Sequence, residues 1–251
     1  MALTLCIVRP KFPALTKEEQ GTVDEHLAKT TLDENVQDYA HMEVCVMNIK
    51  TLSPGTWLDD QIINFYRVLI QERCDAKKLW LFRTNFYSTL KREGYAKVKR
   101  WTKKCEATIF SKELIIVPIN RLEEHWCCGT INFKLRRFEM YDSSGAAEAD
   151  AFYSQMLTYV DEEHQKKRGS PFDFTGWESK IYIGDCPQQN NIHDCGVFTA
   201  QFMRCLALRE RHDADIEFDF DQSDMPYLRK RMILDILNKE ILGEAAVLTK
   251  P

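Results

Sequence analysis

Pro187-Gln188-Gln189-Asn190-Asn191-Ile192-His193-Asp194-Cys195-Gly196-Val197-Phe198 is a polar loop that ends in a cysteine and runs straight into an apolar segment, residues 197–208. Val197, Phe198, Phe202, Cys205 and Leu206 recur with helical spacing. Ala200, Met203 and Leu208 make the segment apolar nearly all round, the pattern of a buried central helix rather than a surface one. Asp194 stands where an N-cap is expected, which sets Cys195 in the first helical turn. A helix dipole and free N–H groups stabilise a thiolate at such a position. A lone cysteine is more often an inert core residue. One at a helix start behind a Gln/Asn-rich loop is expected to be a nucleophile.

The bulk of the chain is ordinary globular material: 251 residues, 44% hydrophobic and 29% charged, enough to bury a core. A net charge of −4 gives no general case for nucleic acid or a membrane surface. No run reaches the length of a transmembrane helix. The apolar residues 3–8 lack the basic flank and cleavage site of a signal peptide. The nine cysteines are odd in number and scattered, with no C-x-x-C spacing, so neither a disulfide framework nor a zinc ribbon fits. That favours a reducing compartment, nucleus or cytosol.

Outward from the loop, the chain reads as a helical front, a sheet in the middle and a helical tail. Thr16-Lys17-Glu18-Glu19 fits a capping box opening a helix to about Ala28. Residues 30–40 read as a polar loop and 44–46 as a short edge strand. Ser53-Pro54-Gly55-Thr56 is a turn, and Trp57-Leu58-Asp59-Asp60 opens an amphipathic helix. A further helix over 84–95 ends at Gly94. The basic stretch 97–104 could be a nucleic-acid patch, but a solvated face with Trp101 turned inward is the reading preferred. Strands are expected over 114–119, 126–133, 137–141 and 177–183. Helices are expected over 146–160 and from Met225 to about Leu242, with 161–170 a charged connector. No repeat or linker divides the chain. The expected organisation is one domain: an extension with one helix over 1–43, then a catalytic unit over 44–251.

A cysteine nucleophile needs a base, a group to orient that base, and an oxyanion hole. His125 opens one strand and Asp142 closes the next. A hairpin centred between Phe133 and Lys134 would set them opposite each other, where an aspartate fixes the imidazole tautomer and supports the imidazolium. Gln189 can direct a side-chain N–H into the space before Cys195, while Gln188 reads as an ordinary loop residue. His193 lies closer in sequence but is poorly placed to reach the thiol. A metal site of His125, Cys127, Cys128 and Cys186 fits badly, because adjacent strand residues point to opposite faces. No metal and no cofactor is called for.

These residues resemble the Ulp/SENP group of SUMO-specific (sentrin-specific) cysteine proteases. The resemblance is carried by 57–66 (WLDDQIINFY), 99–104 (KRWTKK), His125-Trp126 and Tyr141-Asp142-Ser143. It continues in Pro187-Gln188-Gln189, in 194–198 (DCGVF) and in 225–232 (MPYLRKRM), and it spans about residues 44–242 in order. It implies a papain-like α+β fold, with a central mixed or antiparallel sheet flanked by helices. It implies catalytic roles at His125, Asp142, Cys195 and Gln189, and substrate contacts at Trp57, Trp126 and Asp60. The two indoles would line a narrow passage for the Gly-Gly tail of SUMO or a related ubiquitin-like protein. The chain departs from that pattern at Cys127-Cys128-Gly129, at Ile192-His193 and over 40–46, which bears on the choice of modifier, with NEDD8 the nearest alternative. A silent module that only binds ubiquitin-like proteins is the competing class, and the intact tetrad argues against it. A monomer in nucleus or cytoplasm is expected.

Overall fold

Leu114-Ile115-Ile116-Val117 has no polar side to turn to water, and such a run is stable in a strand only where both faces of the sheet are covered. The computed structural model, which describes residues 12–103, 105, 108–145 and 149–241, covers them both. In chain order the front comprises α1 (Lys17–Ala28), β1 (Asn35–Tyr39), β2 (Met42–Cys45), α2 (Val46–Lys50) and α3 (Asp60–Arg73). The middle comprises β3 (Leu79–Leu81), α4 (Asn85–Glu93), α5 (Tyr95–Val98), β4 (Leu114–Arg121), β5 (His125–Asn132) and β6 (Arg137–Tyr141). α6 (Ala149–Arg168), β7 (Glu178–Tyr182), α7 (Cys195–Leu208) and α8 (Met225–Asn238) complete it.

Strands β3 to β7 form one five-stranded sheet in sequence order. β4, β5 and β6 are antiparallel, and β3 and β7 are parallel additions at the two edges. Leu114 and Ile116 point into a core shared with α3, α7 and α8, whereas Ile115, Val117 and Ile119 point into a second core with α4, α5 and α6. The period-two alternation thus sends one strand's side chains into two hydrophobic layers. α7 is buried along almost its whole length, as expected of an all-round apolar helix, and it packs on β5 and α3.

Several elements differ from the sequence reading. Residues 35–39 are not loop but pair with 42–45 as a hairpin, turning through Ala40 and His41 at φ 51° and 62°. Its half-exposed pattern explains the polar sequence. Val46 begins a helix rather than ending a strand. The charged residues 161–168 are the last turns of α6 and not a connector. Lys167 pairs with Glu163, Gln165 donates to Asp161, and the helix stops where Gly169 takes φ 76°. Residues 146–148, the expected start of that helix, lie outside the described residues, as does Leu242. α8 ends at Asn238 because Lys239 turns left-handed. The capping box at Thr16 is present with both reciprocal bonds, and α1 buries Val23 in the same core as α3 and α8. Trp101 packs against the second core.

Candidate active site

β5 and β6 bring the histidine and the aspartate together, though not in the register expected. Cys128 faces Tyr141 and Asn132 faces Arg137, so the hairpin is centred between Lys134 and Leu135, one residue later. Asn132 Oδ1 accepts from the backbone N–H of Lys134 and of Leu135, and Arg136 takes φ 54°, which fixes the later turn. Continued past Tyr141, that register sets Asp142 beside Cys127 and makes His125 a diagonal neighbour. A slip of two residues keeps every side chain on its own face. The contact therefore survives: His125 Nε2 lies 2.8 Å from Asp142 Oδ1.

Asp142 is completely buried and almost fully engaged. Ser144 donates its backbone N–H to Oδ1 at 2.9 Å, and Arg121 approaches Oδ2 at 3.5 Å. Burial alone would push the carboxyl's pKa up, but the bonds from His125 and Ser144 outweigh it and hold the carboxyl below its usual range. Burial likewise works against a charged His125. The bond to Asp142, with lesser ones to the thiols of Cys127 and Cys195, prevails and raises the imidazole to about 11. The ring of His125 is thus bonded to the carboxylate, and the thiol at the first residue of α7 is among the neighbours that favour its charged form.

Asp194 does not cap that helix with its side chain. Its Oδ1 accepts from Arg229 Nε at 2.9 Å and Nη2 at 2.7 Å, and its Oδ2 accepts from Asn191 and Gln222. Arg229, 3% exposed, also donates to the carbonyls of Thr51, Ser53, Thr56 and His193. One guanidinium from α8 therefore pins the loop before Cys195 to the turn before α3. Sequence reasoning gave Arg229 no such part. The signal was present: it occupies the same helical stripe as Met225, Leu228, Met232 and Ile233. Arg229→Ala would leave the Asp194 carboxylate buried without its cation. The expected loss is about 3–5 kcal/mol, read as a fall in urea midpoint at constant slope.

Gln189 is tied to the same neighbourhood. Its backbone N–H donates to the Ser143 carbonyl at 2.7 Å, its Oε1 accepts from Ser143 Oγ at 2.8 Å, and its Nε2 donates to Asn191 O at 2.6 Å. Gln188 is no ordinary loop residue, since its Nε2 donates to the backbone carbonyl of Asp142 at 2.9 Å. His193 is partly exposed and meets Asp194, 4.0 Å away, rather than the thiol. Trp126 is 5% exposed and belongs to the core, donating Nε1–H to Leu58 O at 3.1 Å. A Cβ at Gly196 would lie 2.7 Å from Leu58 Cβ and 3.3 Å from the Trp126 ring. Glycine after the cysteine is what lets α7 begin so close to both. Trp57 is 47% exposed, and Asp60 is exposed at the start of α3. Of the four residues whose grouping as a metal site fits badly on the sequence, Cys186 is engaged with backbone carbonyls and Cys128 points to the core.

A two-layered α+β fold of papain type thus draws a cysteine at a helix start and a histidine–aspartate pair on the sheet into one place. The chain belongs to the Ulp1 protease family, matching its C-terminal catalytic domain over residues 56–244. It is similar to a sentrin-specific protease of Caenorhabditis elegans, at 34% identity over 248 residues, 94% of this chain and 34% of that protein. It is also similar to sentrin-specific protease 2 of Homo sapiens, at 32% identity over 232 residues, 91% of this chain and 38% of that protein. The chain therefore spans about a third of the length of these curated relatives. Among solved structures it is similar to the C-terminal Ulp1 protease domain in complex with Smt3, the yeast ortholog of SUMO. There the TM-score is 0.76 at 30% identity, covering 91% of this chain and 98% of that one.

Proposed function

We propose that this chain is a thiol protease that matures SUMO precursors and releases SUMO from lysine conjugates, cutting after the C-terminal Gly-Gly. The observation that carries the reading is the His125 imidazole, held at 2.8 Å by a buried Asp142, with the thiol of Cys195 among the neighbours that favour its charged form. The likeness to a domain captured with Smt3 supports the choice of modifier. The catalytic unit is residues 44–251, acting as a monomer, with 12–43 packed on it. A reducing compartment, nucleus or cytoplasm, suits a thiol of this kind. Among the described residues no helix is long and apolar enough to cross a membrane.

The chemistry follows from the geometry. His125 takes the proton of Cys195, and Asp142 holds the resulting imidazolium in place. The thiolate attacks the carbonyl of the second glycine. The developing oxyanion is met by the backbone N–H of Cys195 and by the carboxamide of Gln189. A carboxamide has two N–H donors, and only one is engaged with Asn191 O. His125 then returns its proton to the departing lysine amine. Water, deprotonated by the same ring, hydrolyses the thioester. Trp126 walls the thiol from within, and Trp57 and Asp60 meet the incoming tail from outside. A chain without side chains fits such a wall, and exclusion of water protects the thioester.

The direct test is reaction with propargylamide probes of SUMO, NEDD8 and ubiquitin. The expected result is rapid capture of the SUMO probe through Cys195. Preferential capture of the NEDD8 probe would reassign the enzyme as a deneddylase, and capture of none would leave only a binding module. Gln189→Ala is expected to lower kcat about 10²-fold with little change in KM, because its donor acts on the developing oxyanion. Steady-state kinetics on a SUMO precursor check this, and an unchanged kcat would remove Gln189 from the site.

A further inference from the structure

Ser143 follows Asp142 just past the end of β6 and is 1% exposed, yet the proposed chemistry gives it no part. Its hydroxyl donates to Gln189 Oε1 at 2.8 Å, and its carbonyl accepts the Gln189 backbone N–H at 2.7 Å. Gln189 Nε2 donates to Asn191 O at 2.6 Å. A backbone carbonyl can only accept, so the carboxamide nitrogen must face Asn191 and its oxygen must face Ser143. The hydroxyl, able to donate or accept, is thereby fixed as a donor. Asp194 in turn donates its backbone N–H to Asn191 Oδ1 at 3.1 Å, and Asn191 Nδ2 donates to Asp194 Oδ2 at 2.7 Å. A continuous run of hydrogen bonds thus passes from the residue after Asp142 to the residue before Cys195, with Gln189 in the middle.

We propose that Ser143 is the positioning residue of the oxyanion hole, its hydroxyl locking the Gln189 carboxamide in the orientation that leaves one N–H free for the developing oxyanion. The inference rests on reading Gln189 as an oxyanion donor. A glutamine side chain is long and rotamer-rich, and holding it costs entropy. With both ends of the carboxamide engaged, that cost is met on folding, and the donor needs no reorganisation when charge develops. The hydroxyl also draws electron density toward Oε1, which makes the remaining N–H a stronger donor, as bonds in a chain polarise one another. Without it, Asn191 O alone would hold the carboxamide among the described residues. Residues 142–144 therefore set base and hole together. Asp142 bonds His125, Ser144 donates to Asp142 Oδ1, and Ser143 turns Gln189.

Ser143→Ala should lower kcat on a SUMO precursor roughly tenfold, the worth of one hydrogen bond, with KM unchanged. Alkylation of Cys195 by iodoacetamide forms no oxyanion, so its rate and pH profile should stay parental. In the Gln189→Ala background the same substitution should cost nothing further, because the group it positions is gone. Ser143→Cys keeps the shape but offers a weaker donor. It should also slow turnover, and it covers the case in which alanine fails to fold. Parental kcat in a folded Ser143 variant would overturn the proposal, as would a loss undiminished in the Gln189→Ala background. Alkylation slowed together with turnover would overturn it too, since that pattern belongs to a structural disturbance of the neighbouring Asp142 and His125. Parental turnover in Gln189→Ala would sink the oxyanion reading itself. A loss there with none in Ser143→Ala would leave that reading standing and remove Ser143.

Discussion

Cys195→Ala is expected to abolish cleavage, with turnover of a SUMO precursor falling by roughly 10⁶-fold, the scale on which loss of a catalytic nucleophile is felt. The substitution removes one sulfur at the first residue of α7 and little else. Arg229, Asp194 and Gln188 tie the surrounding loop down through contacts that do not involve the thiol. Folding and substrate recognition should therefore survive. The variant should form a stable complex with the precursor and melt at a higher temperature in its presence, as any ligand that binds only the folded state requires. Single-turnover cleavage and a thermal melt with and without precursor check both halves. Residual turnover within tenfold of the parent would exclude Cys195 as the nucleophile.

That separation of chemistry from scaffold reflects how the site is built. The proposed nucleophile sits on a helix, and the proposed base and its partner sit on a hairpin. Polar side chains hold the two parts in register. Arg229 fastens the loop before α7 to the turn before α3. Gln188 fastens the same loop to the backbone of Asp142, and Ser143 bonds both the backbone and the side chain of Gln189. Such buried networks are costly when half satisfied and specify one arrangement when complete.

Much of this was legible in the chain, and the misses have physical causes. The all-round apolar pattern of 197–208 marked a buried helix because no solvated face interrupts it. The continuous run in β4 and the reciprocal Thr16–Glu19 cap were equally plain. The hairpin at 35–45 escaped because a strand half exposed at the surface carries no apolar stripe to announce it. Residues 161–168 escaped for a related reason: a charged stretch extends a helix whenever its i,i+4 partners match, and composition alone reads as a connector. Asp194 looked like a cap, since an aspartate before a helix satisfies free N–H groups in most settings. A guanidinium from a helix thirty-odd residues later competes for the same carboxylate and takes it. The register error at His125 was harmless only because it was even. A shift of one residue would have sent the imidazole to the opposite face.

Asp142→Asn tests the second large effect, since asparagine keeps the shape of the carboxylate and removes its charge. The expected loss of kcat is up to roughly 10⁴-fold, the scale seen when the aspartate of a nucleophile–histidine–aspartate triad becomes asparagine. Two causes act together. An amide offers Nε2 of His125 a different hydrogen-bonding partner, so the imidazole is no longer held in the tautomer that faces Cys195. The imidazolium also loses the charge that sustains it. In the parent the bond to Asp142 prevails over burial and raises His125 to about 11. A group raised in the folded state contributes stability that is fully present below its unfolded value of about 6.5 and is lost as pH rises through the folded value. Asp142 is lowered, so its own contribution is present above the ordinary carboxylate range and is lost as pH falls. Stability from the pair is therefore full near neutrality. The asparagine variant should lose that advantage there, and the His125 midpoint, followed by the ring-proton NMR signals, should fall back toward the ordinary value. Slow turnover with an unmoved midpoint would mean that Asp142 acts through position alone. Near-parental turnover would remove the histidine–aspartate bond from the mechanism.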